Sequence, residues 1–171
     1  MVPQSEGTPY HREMHDMLSL STHLPEVSFA EGEAVVEEGQ PGGALWVLVS
    51  GTLSVSQNGV VVNAIVQPGA LVGEVSTLLG TPYGATVRAT TPCVLRHAAD
   101  GAALMASQPG ITRLMAVGLA ERLAFVTSYL VDLKRQYADA PGLAMVADVL
   151  QQLSQRQAPA ARPGSVRDPG V

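Results

Sequence analysis

Apolar residues follow a strand-like pattern through the first part of the chain. From Val27 to about His97 they form short β-branched runs separated by glycines, which is typical of a sandwich or barrel of short strands. We expect strands over residues 44–49, 53–55, 60–66, 86–89 and 93–96. Between two of these runs lies Asn58-Gly59, which predicts a tight hairpin because both central residues of such a turn need positive φ.

A helical pattern replaces the strand pattern after Gly110. It predicts a helix over residues 110–137, about 40 Å long, which exceeds one face of so small a β-domain. One apolar stripe follows alternating spacings of four and three, which predicts a heptad seam that pairs in parallel with a second copy of the chain. The stripe consists of Leu119, Leu123, Val126, Leu130, Leu133 and Tyr137.

The two ends of the chain differ from its centre. Residues 1–24 hold a short amphipathic stretch, with Met14, Met17, Leu18 and Leu20 on one side, which predicts a helical lead-in to a β-domain over residues 25–109. Pro141-Gly142 ends the long helix, and a further amphipathic helix is expected over 141–157. Residues 158–171 are rich in Pro, Ala, Gly and Arg and are expected to be disordered.

Composition limits the class of protein. A chain of 171 residues with 46% hydrophobic content buries one core. The single cysteine, Cys93, lies in an apolar run, so we expect it in the core of a cytoplasmic protein without disulfides. We find no apolar stretch approaching the roughly 18 residues of a membrane span and expect no membrane contact. A net charge of -5 with ten Lys plus Arg argues against DNA as the partner.

Four glycine-punctuated segments carry a family resemblance. Together they resemble the cyclic-nucleotide-binding domain, over about residues 20–137. The segments are FAEGE at 29–33, EG at 38–39, LWVLVSGTLSV at 45–55 and PGALVGEVSTLLGTPYGATVRA at 68–89. The resemblance implies a mainly β fold with flanking helices: an eight-stranded double-stranded β-helix, or jelly roll, followed by a long dimerisation helix. The glycines at 32, 39 and 51 are read as turn residues that need positive φ.

The segment 68–89 resembles that family's phosphate-binding cassette. Residues 74–79 form a short apolar helical turn after a glycine, whose N–H groups are able to face an anion. The resemblance implies that Glu74 accepts a ribose hydroxyl, although an acidic residue is also favoured at any helix start. On the long helix, Thr127-Ser128 resembles a pair that contacts adenine across the catabolite activator dimer. The implied ligand site consists of Val72, Gly73, Glu74, Val75, Ser76, Tyr83, Gly84, Ala85, Thr86, Thr127 and Ser128.

The cassette departs from the family pattern at the phosphate. Nucleotide-binding members carry an arginine where this chain has Tyr83, and a phenol offers one neutral hydrogen bond in place of a charged fork. Gly84 also lacks a hydroxyl, although its main-chain N–H and that of Ala85 persist. Arg88 is not expected to substitute, because its place on a strand favours an outward, solvated side chain.

Other kinds of site lack support in the sequence. His11 and His15 have metal-ligand spacing but no third ligand, and a metal cupin needs clustered histidines where only His97 is present. Neither a nucleophile elbow nor a phosphate loop of the Walker type occurs, and Cys93 has no activating base. We therefore expect no metal, no cofactor and no enzymatic activity.

The sequence leaves two functions open. One is a regulatory sensor that binds cyclic AMP, cyclic GMP or a related anion and acts on an unidentified partner through its dimer helix. The other is a degenerate domain that keeps the fold and the dimer as a ligand-independent interaction module, for which Tyr83 is the best argument. A transcription factor is disfavoured because no basic recognition helix follows residues 143–153, so a C-terminal helix-turn-helix is not expected.

Overall fold

A computed structural model describes residues 16–136 and 144–155. Within these ranges eight strands and two short helices form the first part, and three further helices follow. The strands are β1 (Glu26–Phe29), β2 (Ala34–Val36), β3 (Leu45–Ser50), β4 (Leu53–Gln57), β5 (Val60–Ile65), β6 (Leu71–Val72), β7 (Thr86–Ala89) and β8 (Cys93–Ala98). The helices are α1 (residues 16–20), α2 (Glu74–Leu79), α3 (Gly101–Ser107), α4 (Pro109–Gln136) and α5 (Ala144–Gln155).

The strands form two antiparallel sheets of four. Their orders are β1-β8-β3-β6 and β2-β7-β4-β5, so β5 and β6 each lie at a sheet edge. Asn58 (φ 51°) and Gly59 (φ 79°) form the turn between β4 and β5, which confirms the predicted hairpin. The three predicted turn glycines also have positive φ, 89° at Gly32, 81° at Gly39 and 96° at Gly51.

The core is built from both sheets. A single cluster of buried side chains takes Leu48 and Leu95 from the first sheet and Leu53 and Val87 from the second. Cys93 belongs to this cluster and is 2% exposed, which confirms its interpretation as a core residue. These antiparallel sheets with flanking helices confirm the predicted fold class, the cyclic-nucleotide-binding β-roll followed by a long helix.

Arg96 links the helical lead-in before β1 to the first sheet. Arg96 on β8 donates from Nη1 to the carbonyl of Leu18 (2.6 Å) and to Oγ of Ser21 (3.1 Å), and from Nε to Glu26 on β1 (3.2 Å). Its side chain is 13% exposed, and Ser21 is fully buried. Charged hydrogen bonds of this kind fix the segment after α1 against the first sheet.

The chain divides into two compact units, residues 1–118 and 119–171. Helix α4 begins in the first unit and ends in the second, over nearly the range predicted from the apolar stripe. The second unit also holds α5. Met14, His11, His15, Tyr137 and the expected tail 158–171 lie outside the described residues.

Helix α4 has no uninterrupted apolar run of 18 residues, in agreement with the sequence, because Arg113, Glu121, Arg122 and Asp132 divide it. By length and composition this helix is apolar enough to cross a membrane, and only 11% of its most apolar 18-residue window is buried. The apolar character is therefore a property of the exposed helix surface.

Candidate functional site

The cassette, residues 68–89, turns sharply between β6 and α2. Gly73 makes this turn at φ 92°, where a Cβ would collide with the carbonyl of Ala44 and approach Cε1 of Tyr83 to 3.2 Å. The Gly73 carbonyl accepts hydrogen bonds from Oγ of Ser76 (2.9 Å) and Oγ1 of Thr77 (3.0 Å). Only glycine combines this backbone angle with so close a neighbour.

The side chains of β6 and α2 alternate between the interior and the solvent. Val72 (3% exposed), Glu74 (5%) and Ser76 (4%) are buried, whereas Val75 is 47% exposed. Val72 packs in the core cluster, and the Ser76 hydroxyl bonds to the main chain. Among these four residues Glu74 has the one ionisable side chain, so it is the residue in this group best suited to bind a polar ligand.

Tyr83 is held in place by two main-chain hydrogen bonds and by the packing of its ring. Its N–H donates to the carbonyl of Gln40 (3.0 Å), and its carbonyl accepts from the N–H of Gly39 (2.8 Å). The half-buried ring packs against the core cluster, and the hydroxyl lies 3.4 Å from the carbonyl of Ala44. Tyr83 is thus a packing residue on the interior side of the cassette.

Four further cassette residues are exposed or half-buried, namely Gly84, Ala85, Thr86 and Arg88. Gly84 is exposed and Ala85 is half-buried. Oγ1 of Thr86 accepts a hydrogen bond from the N–H of Glu38 (3.0 Å). Arg88 is exposed, donates to the carbonyl of Gly32 (2.5 Å) and lies 4.0 Å from Glu37. As the strand alternation predicts, the Arg88 side chain lies on the outer, solvated side of the sheet.

The predicted site residues are divided between the two compact units. The cassette residues all belong to the first unit, whereas Thr127 and Ser128 lie on the part of α4 that belongs to the second unit. Thr127 is half-buried and Ser128 is exposed. Only the family resemblance predicted that Thr127 and Ser128 share a ligand site with the cassette.

A pocket behind α2 was missed by the sequence reasoning. It has a volume of about 470 Å³ and is lined by the β2–β3 loop, the end of α2 and the start of α3. Gly42 approaches α2 so closely that a Cβ would lie 2.6 Å from Oγ of Ser76. Two polar side chains that line the pocket have partners: Thr77 bonds to Gly73, and Asp100 caps α3 by accepting from the N–H of Ala103 (2.9 Å). The consecutive glycines at 42 and 43 are the one signal in the sequence.

His97, the one histidine considered as a cupin-type ligand, belongs to an aromatic group on the first sheet. Trp46 stacks on His97 with ring centroids 4.0 Å apart, and Phe29 meets Trp46 edge-on at 5.5 Å. Among the described residues, no group of three or more His, Cys, Asp or Glu side chains is placed to hold a metal ion. His97 is therefore a packing residue of the first sheet.

Comparison with known proteins decides the family of this domain. The family model of the cyclic nucleotide-binding domain matches the sequence of residues 26–102, which include every described strand and α2. These residues form a cyclic nucleotide-binding domain. A cAMP-dependent protein kinase regulatory subunit of Yarrowia lipolytica is 35% identical over 77 residues, 45% of this chain and 20% of that protein.

A longer match extends beyond the domain. The CRP-like cAMP-activated global transcriptional regulator of Mycobacterium tuberculosis is 32% identical over 146 residues, covering 81% of this chain and 62% of that protein. The chain thus spans from one fifth to about three fifths of the length of these two relatives. The catabolite activator protein of Thermus thermophilus shares the fold, with a TM-score of 0.53 and 22% identity over 94% of this chain and 90% of that chain.

Proposed function

We propose that this chain is a regulatory sensor that binds a cyclic nucleotide or a related anion in its cassette and transmits binding through α4. The observation that carries the proposal is the buried Glu74, 5% exposed, directly after the left-handed Gly73 at the start of α2. Both curated relatives are named as cAMP-dependent regulators. A non-enzymatic, cytoplasmic role is part of the same proposal.

The proposed site offers different groups to the ribose and to the phosphate of the ligand. A buried carboxyl group at Glu74 is suited to accept hydrogen bonds from the ribose hydroxyl, and hydrogen bonds to carboxylates are stronger than those between neutral groups. At the phosphate end, main-chain N–H groups of Gly84 and Ala85 are the donors that remain. Since Tyr83 provides no positive charge, we expect weaker binding than in arginine-bearing members.

Transmission is proposed to run through a homodimer. The apolar stripe of α4 exposes Leu123 (53%) and Val126 (47%), and Leu130 and Leu133 are half-buried. A helix of 28 residues with such a stripe suits parallel pairing with a second copy. As the family resemblance implies, Thr127 and Ser128 on this helix are proposed to contact the nucleotide base.

A second function is favoured by Tyr83. Its ring packs against the core cluster, and its hydroxyl faces the carbonyl of Ala44 at 3.4 Å. A side chain that completes the core in this way stabilises the domain without a ligand. The second candidate is therefore a ligand-independent dimerisation or interaction module on the same fold.

Calorimetric titration with cyclic AMP and cyclic GMP tests the sensor function, with non-cyclic AMP as the comparison ligand. We expect weak binding that Glu74→Gln reduces about 10- to 100-fold, since it removes a charged acceptor worth about 1.5–3 kcal/mol. Glu37→Gln is the matched control, because Glu37 is an exposed carboxylate outside the cassette. If native protein and Tyr83→Arg both fail to bind either nucleotide, the second candidate replaces the first.

A further inference from the structure

Strand β5 exposes an apolar edge. It is the outermost strand of its sheet, and Val60, Val61 and Val62 are 64%, 68% and 58% exposed. From Val60 to Gln67 the sequence has no charged residue and no proline. Edge strands usually carry such residues because they prevent pairing with another chain, so β5 lacks the ordinary protection.

The sequence of this edge is nearly symmetric about Asn63. Residues 60–66 read VVVNAIV, so an antiparallel copy centred on Asn63 places Val60 opposite Val66, Val61 opposite Ile65 and Val62 opposite Ala64. Every pair but the central one is apolar, and no like charges meet. Two-fold symmetric interfaces require this kind of self-complementarity.

We propose that β5 pairs antiparallel with β5 of a second copy, about a two-fold axis at Asn63. Main-chain hydrogen bonds across the pair satisfy edge groups, and the apolar cross-strand pairs add stability. The strand belongs to the first unit and the α4 stripe to the second. The pairing needs no nucleotide, so it stands or fails separately from the sensor function.

Two local features keep this pairing weak. Oδ1 of Asn63 accepts the N–H of Ala64 at 2.8 Å, so this side chain competes for one main-chain donor. A bulge leaves Val62 without a partner on β4, because Val61 and Asn63 pair with the consecutive residues Ser56 and Val55. Bulges increase the local twist and shorten the stretch available for pairing. We therefore expect association that depends on protein concentration.

Sedimentation separates this interface from the helix seam. In the background Leu130→Glu, which disrupts pairing along α4, we expect a dimer at about 100 µM that dissociates on dilution. Adding Val62→Lys should leave a monomer, because it places a charge against the partner strand. Adding Ala106→Lys, at an exposed position on α3, should leave the dimer. A monomer in the Leu130→Glu background alone, or a dimer that survives Val62→Lys, overturns the proposal.

Cysteine crosslinking tests the register directly. The chain has one cysteine, Cys93, which is buried, so an introduced thiol reacts against a low background. Asn63→Cys places two thiols opposite each other across the axis, where Cβ atoms lie about 4.5–5.5 Å apart, and a mild oxidant should produce a covalent dimer. Val60→Cys separates the equivalent thiols by about 20 Å at 3.3 Å per residue and should not crosslink. Equal crosslinking of both variants, or crosslinking of neither, overturns the proposed register and the proposal.

Discussion

Tyr83 lies against Gly73, so that a Cβ added to the glycine would come within 3.2 Å of Cε1 of the tyrosine ring. The same Cβ would collide with the carbonyl of Ala44, which also faces the Tyr83 hydroxyl at 3.4 Å. The turn at Gly73 and the side chain of Tyr83 therefore pack directly against each other. Changing either residue should disturb the other.

Gly73→Ala should destabilise the domain more than its backbone angle alone explains. The left-handed conformation costs alanine about 1–2 kcal/mol, and the contacts with Ala44 and Tyr83 add to this. Gly32→Ala is the control, since Gly32 has nearly the same φ, 89°, but nothing within 4 Å of its added Cβ. Urea denaturation of both variants measures the difference. Equal losses of unfolding free energy would show that the Gly73 contacts are unimportant.

Tyr83→Arg should raise the affinity for cyclic AMP about 10- to 100-fold, because a guanidinium supplies the charged hydrogen bonds that the phenol lacks. Tyr83→Phe should leave affinity unchanged, since it keeps the ring and removes only a long contact of 3.4 Å. Calorimetry measures both affinities. If the native protein already binds at nanomolar concentration and the arginine adds nothing, Tyr83 is not at the phosphate position.

Arg96→Met should lower the free energy of unfolding by about 2–3 kcal/mol, because it removes charged hydrogen bonds and leaves polar groups unsatisfied. Its three partners are Leu18, Ser21 and Glu26. Arg88→Met is the matched control and should cost less than about 1 kcal/mol, since Arg88 is exposed. Chemical denaturation measures both, and similar losses would contradict the stabilising role of Arg96.

Leu130→Glu should weaken the proposed pairing along α4, because it places two like charges opposite each other in an apolar seam. The cost should reach several kcal/mol per dimer. Ala124→Glu, at an exposed position off the stripe, should leave the association unchanged. Sedimentation should be measured in the Val62→Lys background. In that background the proposed pairing along β5 is disrupted, so that any association reports on α4 alone. A native protein that sediments as a monomer at tens of micromolar removes the prediction.

The sequence predicted β3, β4, β5, β7 and β8, and it missed β1, β2 and β6. Strand β6 has two residues and β2 has three, too few for any alternation to be visible. Helix α3 was also missed, although Asp100 caps it, because it has only seven residues, three of them alanine, and so shows little periodicity. The cassette was found through its glycines, whose positive φ is a local requirement that a single sequence reveals.

The chemistry of the site was less predictable than its position. The pattern of α2 indicated a helix start at Glu74, but whether that carboxyl group is buried depends on how two sheets pack around it. The same applies to Tyr83, whose contacts come from Gln40 and Ala44, some 40 residues earlier in the sequence. Such distant contacts leave no trace in local spacing. Predicting them requires the three-dimensional packing.

The burial of Cys93 gives the protein a built-in reporter of its own opening. The thiol is 2% exposed, and Gly51 approaches so closely that an added Cβ would lie 2.5 Å from the sulfur. A thiol-labelling reagent therefore reaches Cys93 only when the strands separate, so its labelling rate follows the population of opened molecules. A ligand that binds the closed roll slows labelling by the factor by which it lowers that population. Labelling kinetics thus allow candidate ligands to be screened without any engineered probe.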